Sequence, residues 1–431
     1  MTLITTVNRS AIKVSQSDYD YNAHLKSLVT QLPLTSCEVC VIVPVRNEAE
    51  NLATTLLALT NQVNLQGKPL AKNRYEIIVL ANNCSDDSAE IARRFARTQP
   101  VIIHVVEMTL EGDRAYIGWV RKLLMDEAYR RLKSIGRSLG IIASTDGDTK
   151  VSPTWIAATI AEINSGVDGV GGRIITERQE RLAWDKLTRL YYLRYVGYLN
   201  LTARLEVLLD SDPDECYPRH YQHFGASLAV TAQIYAKVGG LPPLHSSEDV
   251  ALYEALKRVD ARFHHSPRVK VTTSARMKGR ATAGLSARLS QLKMMAQNRQ
   301  PVLVESADLI KARFLLRRWL RYLWNEQQAG KTHPAKILAV AQKLDLTSEL
   351  LEEIILRSPT FGLLVEQIGQ YRQDNDTINR SWQKVTIQKA IADLRQMINA
   401  FERDRTTPES LDLSLNSLEQ IEPILLFPQS L

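Results

Sequence analysis

The chain has 431 residues, 45% hydrophobic and 23% charged, the ordinary balance of a globular protein with room for two or three domains. Lys and Arg number 54 against 47 Asp and Glu, and the resulting +7 suits polyanionic ligands such as diphosphates, acidic acceptors or an anionic lipid surface. No dense Lys/Arg stripe or reader motif is present, so nucleic acid is not the expected partner.

The stretch 1–17 has neither the apolar run nor the small-residue cleavage site of a secretory signal, and no apolar run approaches the length of a spanning helix. A cytoplasmic protein is expected, with peripheral membrane contact open. The four cysteines are Cys37, Cys40, Cys84 and Cys216. Cys37 and Cys40 run into a strand-like segment, where residues three apart point to opposite faces. No second pair completes a tetrahedral zinc site, so packed, reduced thiols are expected.

After an N-terminal extension over 1–36, strand and helix signals alternate. Residues 37–43 form a β-branched run ended by Pro44, and 48–62 follow with helical spacing at Leu52, Leu56, Leu57 and Leu59. Ile77 to Leu80 reads as a second buried strand, and the polar turn 82–87 opens a helix carrying Ile91, Ala92 and Phe95. A third strand is expected over 101–106, a helix over 119–132 and a fourth strand over 140–143, which leads into Asp146, Gly147 and Asp148. Short connections between such elements imply a mostly parallel sheet covered on both faces, with ligands at the carboxyl ends of the strands.

Residues 182–215 read as a helical insertion, tyrosine-rich at Tyr191, Tyr195 and Tyr198. Its apolar stripe packs on the core, or its tyrosines face an acceptor or a membrane. Residues 305–431 read as amphipathic helices without a chemical motif, a helical accessory region in which Arg317, Arg318 and Arg321 form a solvated face.

Asp146 and Asp148, with one small residue between them at a strand end, have the geometry to hold a hard cation such as Mg²⁺ or Mn²⁺ and leave coordination positions for phosphate oxygens. Glu248 and Asp249 precede the helical pattern Val250, Leu252, Tyr253 and Leu256, so they sit at a helix N-terminus, either as a general base or as a simple acidic cap. His264 and His265 end a strand-like segment. The cationic, glycine-punctuated stretch 276–288, with Arg276 and Arg280, is expected to be mobile and to close over a diphosphate.

Four ordered segments carry a resemblance: Val41 to Glu48, Tyr75 to Ser88, the Asp146 to Asp148 turn, and Gly239 to Asp249. Together they resemble family 2 glycosyltransferases over about 37–275, in a version that looks like a bacterial soluble subgroup. The resemblance implies an α/β GT-A domain over 37–290, a nucleotide-diphosphate sugar donor, a hydroxyl acceptor and usually inversion at the anomeric carbon. It implies that Pro44, Arg46, Asn47 and Glu48 contact the nucleoside, that Asn82 stands where many members place an aspartate for the base, and that Asp146 lies near the ribose. Arg276 and Arg280 would steady the leaving group, Asp146 and Asp148 would bind metal with His265, or its neighbour His264, as a third ligand, and Asp249, beside Glu248, would be the catalytic base. Asn82 both donates and accepts, so the donor base need not be uracil.

Three rivals remain. A retaining enzyme acting on a small acid shares the fold. A nucleotidyltransferase would carry a glycine-rich loop after the first strand, which Pro44 to Glu48 is not. A catalytically silent sugar-nucleotide-binding protein would release no nucleoside diphosphate.

Overall fold

In the computed structural model, residues 27–210, 218–277, 279, 284–374, 384–404, 413 and 418 are described. The chain opens β1 (Val39–Val45), α1 (Leu52–Thr60), β2 (Tyr75–Asn82), α2 (Ser88–Thr98), β3 (Ile102–Met108), α3 (Ile117–Ser134) and β4 (Ile141–Ser144). It continues β5 (Thr149–Val151), α4 (Trp155–Asn164), β6 (Gly169–Thr176), α5 (Arg178–Leu182), α6 (Lys186–Leu209), β7 (Leu228–Thr231) and α7 (Ala232–Lys237). Then come α8 (Glu248–Arg258), β8 (Phe263–Thr273), α9 (Leu285–Gln297), β9 (Leu303–Val304) and α10 (Ala307–Gln328). The described elements end with α11 (Pro334–Leu344), α12 (Ser348–Arg357), α13 (Phe361–Asp374), β10 (Val385–Thr386) and α14 (Ile387–Arg403).

The main sheet has eight strands in the order β3-β2-β1-β4-β7-β6-β8-β5. It is parallel through β3, β2, β1 and β4, as expected. The expectation of a mostly parallel sheet holds: β6 and β8 pair parallel and run with the first four strands, and the reversed strands are β7, antiparallel to both β4 and β6, and β5, antiparallel to β8. Alternation divides β1 between two cores: Val39, Val41, Val43 and Val45 enter one face with α1 and α4, and Cys40 and Ile42 the other with α3 and α8. This is the expected α/β sheet with helices on both faces and a helical region after it.

Pro44 does not end β1, which runs on to Val45 in register with Ala81. The Ile42 carbonyl accepts from the Thr145 amide on the β4 side, so Pro44, two residues on, presents its missing N–H to that same side. There the β1–β4 pairing has already stopped at Ser144, and no ladder bond is lost. The departure of β4 at this point opens the sheet edge for the acidic turn.

Of the C-terminal helices, α10 and α14 pack directly on α6. Tyr192, Tyr198, Leu205 and Leu209 of α6 share one core with Ile310 and Phe314 of α10 and Leu394 and Ile398 of α14, while the opposite side of α10 enters a second core with α11, α12 and α13. The stripe of α6 therefore meets helices more than the sheet. Arg317 and Arg321 are not a solvated face: Arg317 forks Glu206, at 2.6 Å, and Asp210, and Arg321 reaches Asp210 at 3.3 Å, fastening α10 to the end of α6.

Candidate active site

The acidic turn follows the carboxyl end of β4, an interior strand between β1 and β7. Gly147 is small for a reason, since a Cβ there would stand 3.1 Å from the Glu48 side chain and 3.2 Å from that of Val45. Asp148 is largely buried, and its Oδ2 lies 2.9 Å from Arg276 Nη2. Arg276 also forks Glu48, with Nη1 to Oε2 at 2.9 Å and Nη2 to Oε1 at 2.6 Å. Burial, and then the neighbouring Asp146 charge, push the Asp148 carboxyl up to about 6 against the pull of Arg276.

Asp146 is more open, one third exposed, and its Oδ1 accepts from Arg121 Nη2 at 2.9 Å. Arg121, in the second turn of α3, is buried and donates through Nε to Glu248 Oε1 at 2.9 Å, through Nη1 to the Gly225 carbonyl at 3.2 Å, and to the Ser144 hydroxyl. Burial opposes its charge, but Asp146, Glu248 and Asp249 together hold its pKa above the ordinary arginine value. Glu248 is buried at the start of α8, and burial pushes its carboxyl up with Arg121 opposing.

Asp249, next in sequence and half-buried, accepts from the Gly225 amide at 2.7 Å through Oδ2. Ser247, just before the pair, holds a left-handed backbone with φ of 60°, a conformation that costs a non-glycine residue roughly 1–3 kcal/mol. The sharp turn brings both carboxylates to the helix start, where the dipole favours their charge.

The loop after β1 is fastened to the loop after β2. Asn47, at φ of 54°, accepts from the Ser85 amide at 2.7 Å, the Glu48 amide donates to Ser88 Oγ at 2.8 Å and the Ala49 amide to Asp86 Oδ2 at 3.0 Å. Arg46 is exposed and donates to the Ala115 carbonyl at 3.1 Å. Glu48, expected at the nucleoside, is buried and forked by Arg276. At the end of β2, Asn82 is 3% exposed and its Oδ1 has no hydrogen-bond partner among the described residues. A buried amide oxygen left unpaired costs about 1–3 kcal/mol, so Asn82 is suited to a ligand that donates to it.

His265 is not at the acidic turn. Both histidines begin β8 rather than end a strand, and it is Thr273, eight residues on, whose hydroxyl lies 3.4 Å from Asp148 Oδ1. On the partner strand β6 these two residues pair with Gly171 and Thr176, five residues or roughly 17 Å apart, so His265 lies away from Asp148. There it is 1% exposed, packs at 5.0 Å from the Phe263 ring and meets His223 Nδ1 at 3.2 Å through Nε2. Arg280 lies outside the described residues, as do 278 and 281–283 of the expected mobile stretch.

The cysteine geometry also differs from expectation. Cys37 precedes β1, so strand alternation does not govern it, and the thiols of Cys37 and Cys40 lie with the Glu76 carboxylate within 4.8 Å of one another. That carboxylate is already forked by Arg131 at 2.7 and 2.6 Å and met by His104 at 3.2 Å, a cationic setting that suits no metal ion. Burial pushes the Cys40 thiol up, away from the thiolate that a metal ion would need.

Residues 40–216 match the family model Glycosyl transferase family 2. The matched stretch carries the loop after β1, Asn82, Arg121 and the Asp146 turn, and it ends before Glu248 and Asp249. The chain is 33% identical over 194 residues to Glycosyltransferase AglE of Haloferax volcanii, an alignment covering 42% of this chain and 56% of that relative. Among solved structures it is similar to S. aureus TarS in complex with UDP-GlcNAc, at 16% identity and a TM-score of 0.39, covering 78% of this chain and 92% of the other. It is also similar to the mannosyltransferase PcManGT of Pyrobaculum calidifontis in complex with GDP-Man and Mn²⁺, at 16% identity and a TM-score of 0.35, covering 87% and 89%. Among the described residues no helix is long and apolar enough to cross a membrane.

The residues that sequence reasoning missed are Arg121 and Gly225. An arginine near a helix start reads as solvated, and nothing local marks it as buried. Gly225 stands in an irregular turn, where a Cβ would meet Arg121 Cζ at 2.5 Å.

Proposed function

We propose that the chain transfers a sugar from a nucleoside-diphosphate donor to a hydroxyl acceptor, with inversion and with Asp249 as general base. The observation that carries this is that one buried guanidinium, Arg121, touches both Asp146 on the donor side and Glu248 beside Asp249. The family match over 40–216 and the identity to Glycosyltransferase AglE support the reaction class. Asn82 Oδ1 would accept from the base, and Arg276 would face the diphosphate.

The donor set suits a divalent cation: two carboxylates one residue apart, the buried one carrying an unfavourable charge that a cation would relieve. Bound there, Mg²⁺ or Mn²⁺ would supply Lewis-acid neutralisation of the diphosphate. Asp249, held through Oδ2 by the Gly225 amide, would take the acceptor proton as the acceptor oxygen bonds to the anomeric carbon and the nucleoside diphosphate departs with the bonding electron pair.

The test is a panel of UDP-, GDP- and ADP-sugars with Mn²⁺, followed by thermal shift and by release of nucleoside diphosphate. A donor at a hundred times its Kd should stabilise the protein by about 2.7 kcal/mol. Stabilisation and release with at least one donor support the assignment. Stabilisation without release would leave a sugar-nucleotide-binding protein, and neither would overturn the proposal.

A further inference from the structure

The buried guanidinium of Arg121 joins four segments that are distant in sequence: Ser144 at the end of β4, Asp146 in the acidic turn, Gly225 before β7, and Glu248 at the start of α8. Two short routes lead from it to Asp249. One passes through Glu248, the preceding residue. The other passes through the Gly225 peptide, whose carbonyl accepts from Arg121 at 3.2 Å and whose amide donates to Asp249 at 2.7 Å.

We propose that Arg121 is a positioning residue that sets the Asp249 carboxylate against the donor by tying Asp146, Gly225 and Glu248 to one planar fork. The proposal rests on the glycosyl transfer proposed above.

A buried ion cluster is weak evidence for stability alone, since apolar residues of the same volume often serve as well. Here the cluster is not closed off: Arg121 is 4% exposed, but its partner Asp146 is 33% exposed and opens to the donor side. The Gly225 turn is shaped around the guanidinium, because any side chain there would enter it. A lysine would keep the charge but lose the fork, reaching Asp146 or Glu248 but not both in the same geometry. A base displaced by about 1 Å loses on the order of 10²-fold in rate, so the alignment carries catalytic weight.

The test is a double-mutant cycle with Arg121→Lys, Asp249→Asn and the double variant, using whichever sugar nucleotide of the panel releases most nucleoside diphosphate and water as acceptor. If Arg121 acts through Asp249, Arg121→Lys slows release at least tenfold in the wild-type background and less than twofold in the Asp249→Asn background. The donor KM changes alike in both, because the Asp146 contact is common to them. An equal loss of rate in both backgrounds would overturn the proposal and leave the transfer mechanism standing. An unchanged rate for Asp249→Asn alone would instead sink the mechanism on which the proposal rests. Glu248→Gln removes one leg of the fork without deleting the guanidinium. The same non-additivity is expected for it, so misfolding of Arg121→Lys would not shelter the idea.

Discussion

Asp148→Asn should make the protein more stable while removing metal-dependent donor binding. Burial and the Asp146 charge raise the Asp148 carboxyl from an ordinary 3.8 to about 6. A carboxyl whose folded pKa lies above its unfolded value binds more protons when folded. Its contribution to stability therefore falls as pH rises from about 4 to 6 and stays unfavourable above that. The difference corresponds to about 3 kcal/mol at neutral pH, taking 1.36 kcal/mol for each tenfold in proton affinity. Asparagine keeps the shape and removes the charge, so the metal-free variant should gain about 1–3 kcal/mol near pH 7 and nothing near pH 4. Ion binding needs the ionised carboxylate, so wild-type affinity for Mn²⁺ with nucleoside diphosphate should weaken about tenfold from pH 7 to pH 5. Urea unfolding across pH without metal, and calorimetric titration with it, measure both. A variant that is less stable than wild type near pH 7, or a wild-type affinity flat over that range, would refute the reasoning.

Gly225→Ala places a Cβ 2.5 Å from Arg121 Cζ and should cut transfer more than tenfold while leaving the far-ultraviolet spectrum unchanged, which stopped-flow turnover and circular dichroism check together. Glu76→Gln leaves Arg131 buried without its carboxylate and should cost about 3–5 kcal/mol in urea unfolding. Burial opposes ionisation of Glu76, but hydrogen bonds from Arg131, His104 and Cys40 hold its pKa at about 2, below an ordinary 4.5. Its stabilisation is therefore present above about pH 4.5 and lost as pH falls toward 2, so the variant and wild type should converge in acid.

The candidate site was legible where it is local. Asp146 and Asp148 stand at the end of an apolar run, and a buried strand followed by an acidic turn marks a strand-end site without knowledge of the partners. Glu248 and Asp249 were visible in the same way, as a charged start to an apolar helical pattern. The neighbours of these carboxylates were not. Arg121 lies two residues after Trp119 in an amphipathic helix, and only the packing of α3 against α8 turns it inward. Glu48 belongs to a loop that reads as ligand-facing, but its carboxylate is claimed by Arg276, more than two hundred positions away in the chain. His265 misled because a histidine pair beside a basic stretch resembles a metal set, whereas the length of β8 carries it away from Asp148. The common direction of most strands followed from alternating strand and helix signals, and the reversals at β7 and β5 did not, since strand direction depends on where the connection lands.

The measurement closest to the central claim is single-turnover transfer by Asp249→Asn, with donor affinity determined on the same sample. Asparagine is nearly isosteric and cannot take up a proton at neutral pH, so transfer should fall by at least about 10²-fold with donor and metal affinity near wild type. A rate within about threefold of wild type would contradict the assignment of Asp249 as general base, and with it the inverting mechanism.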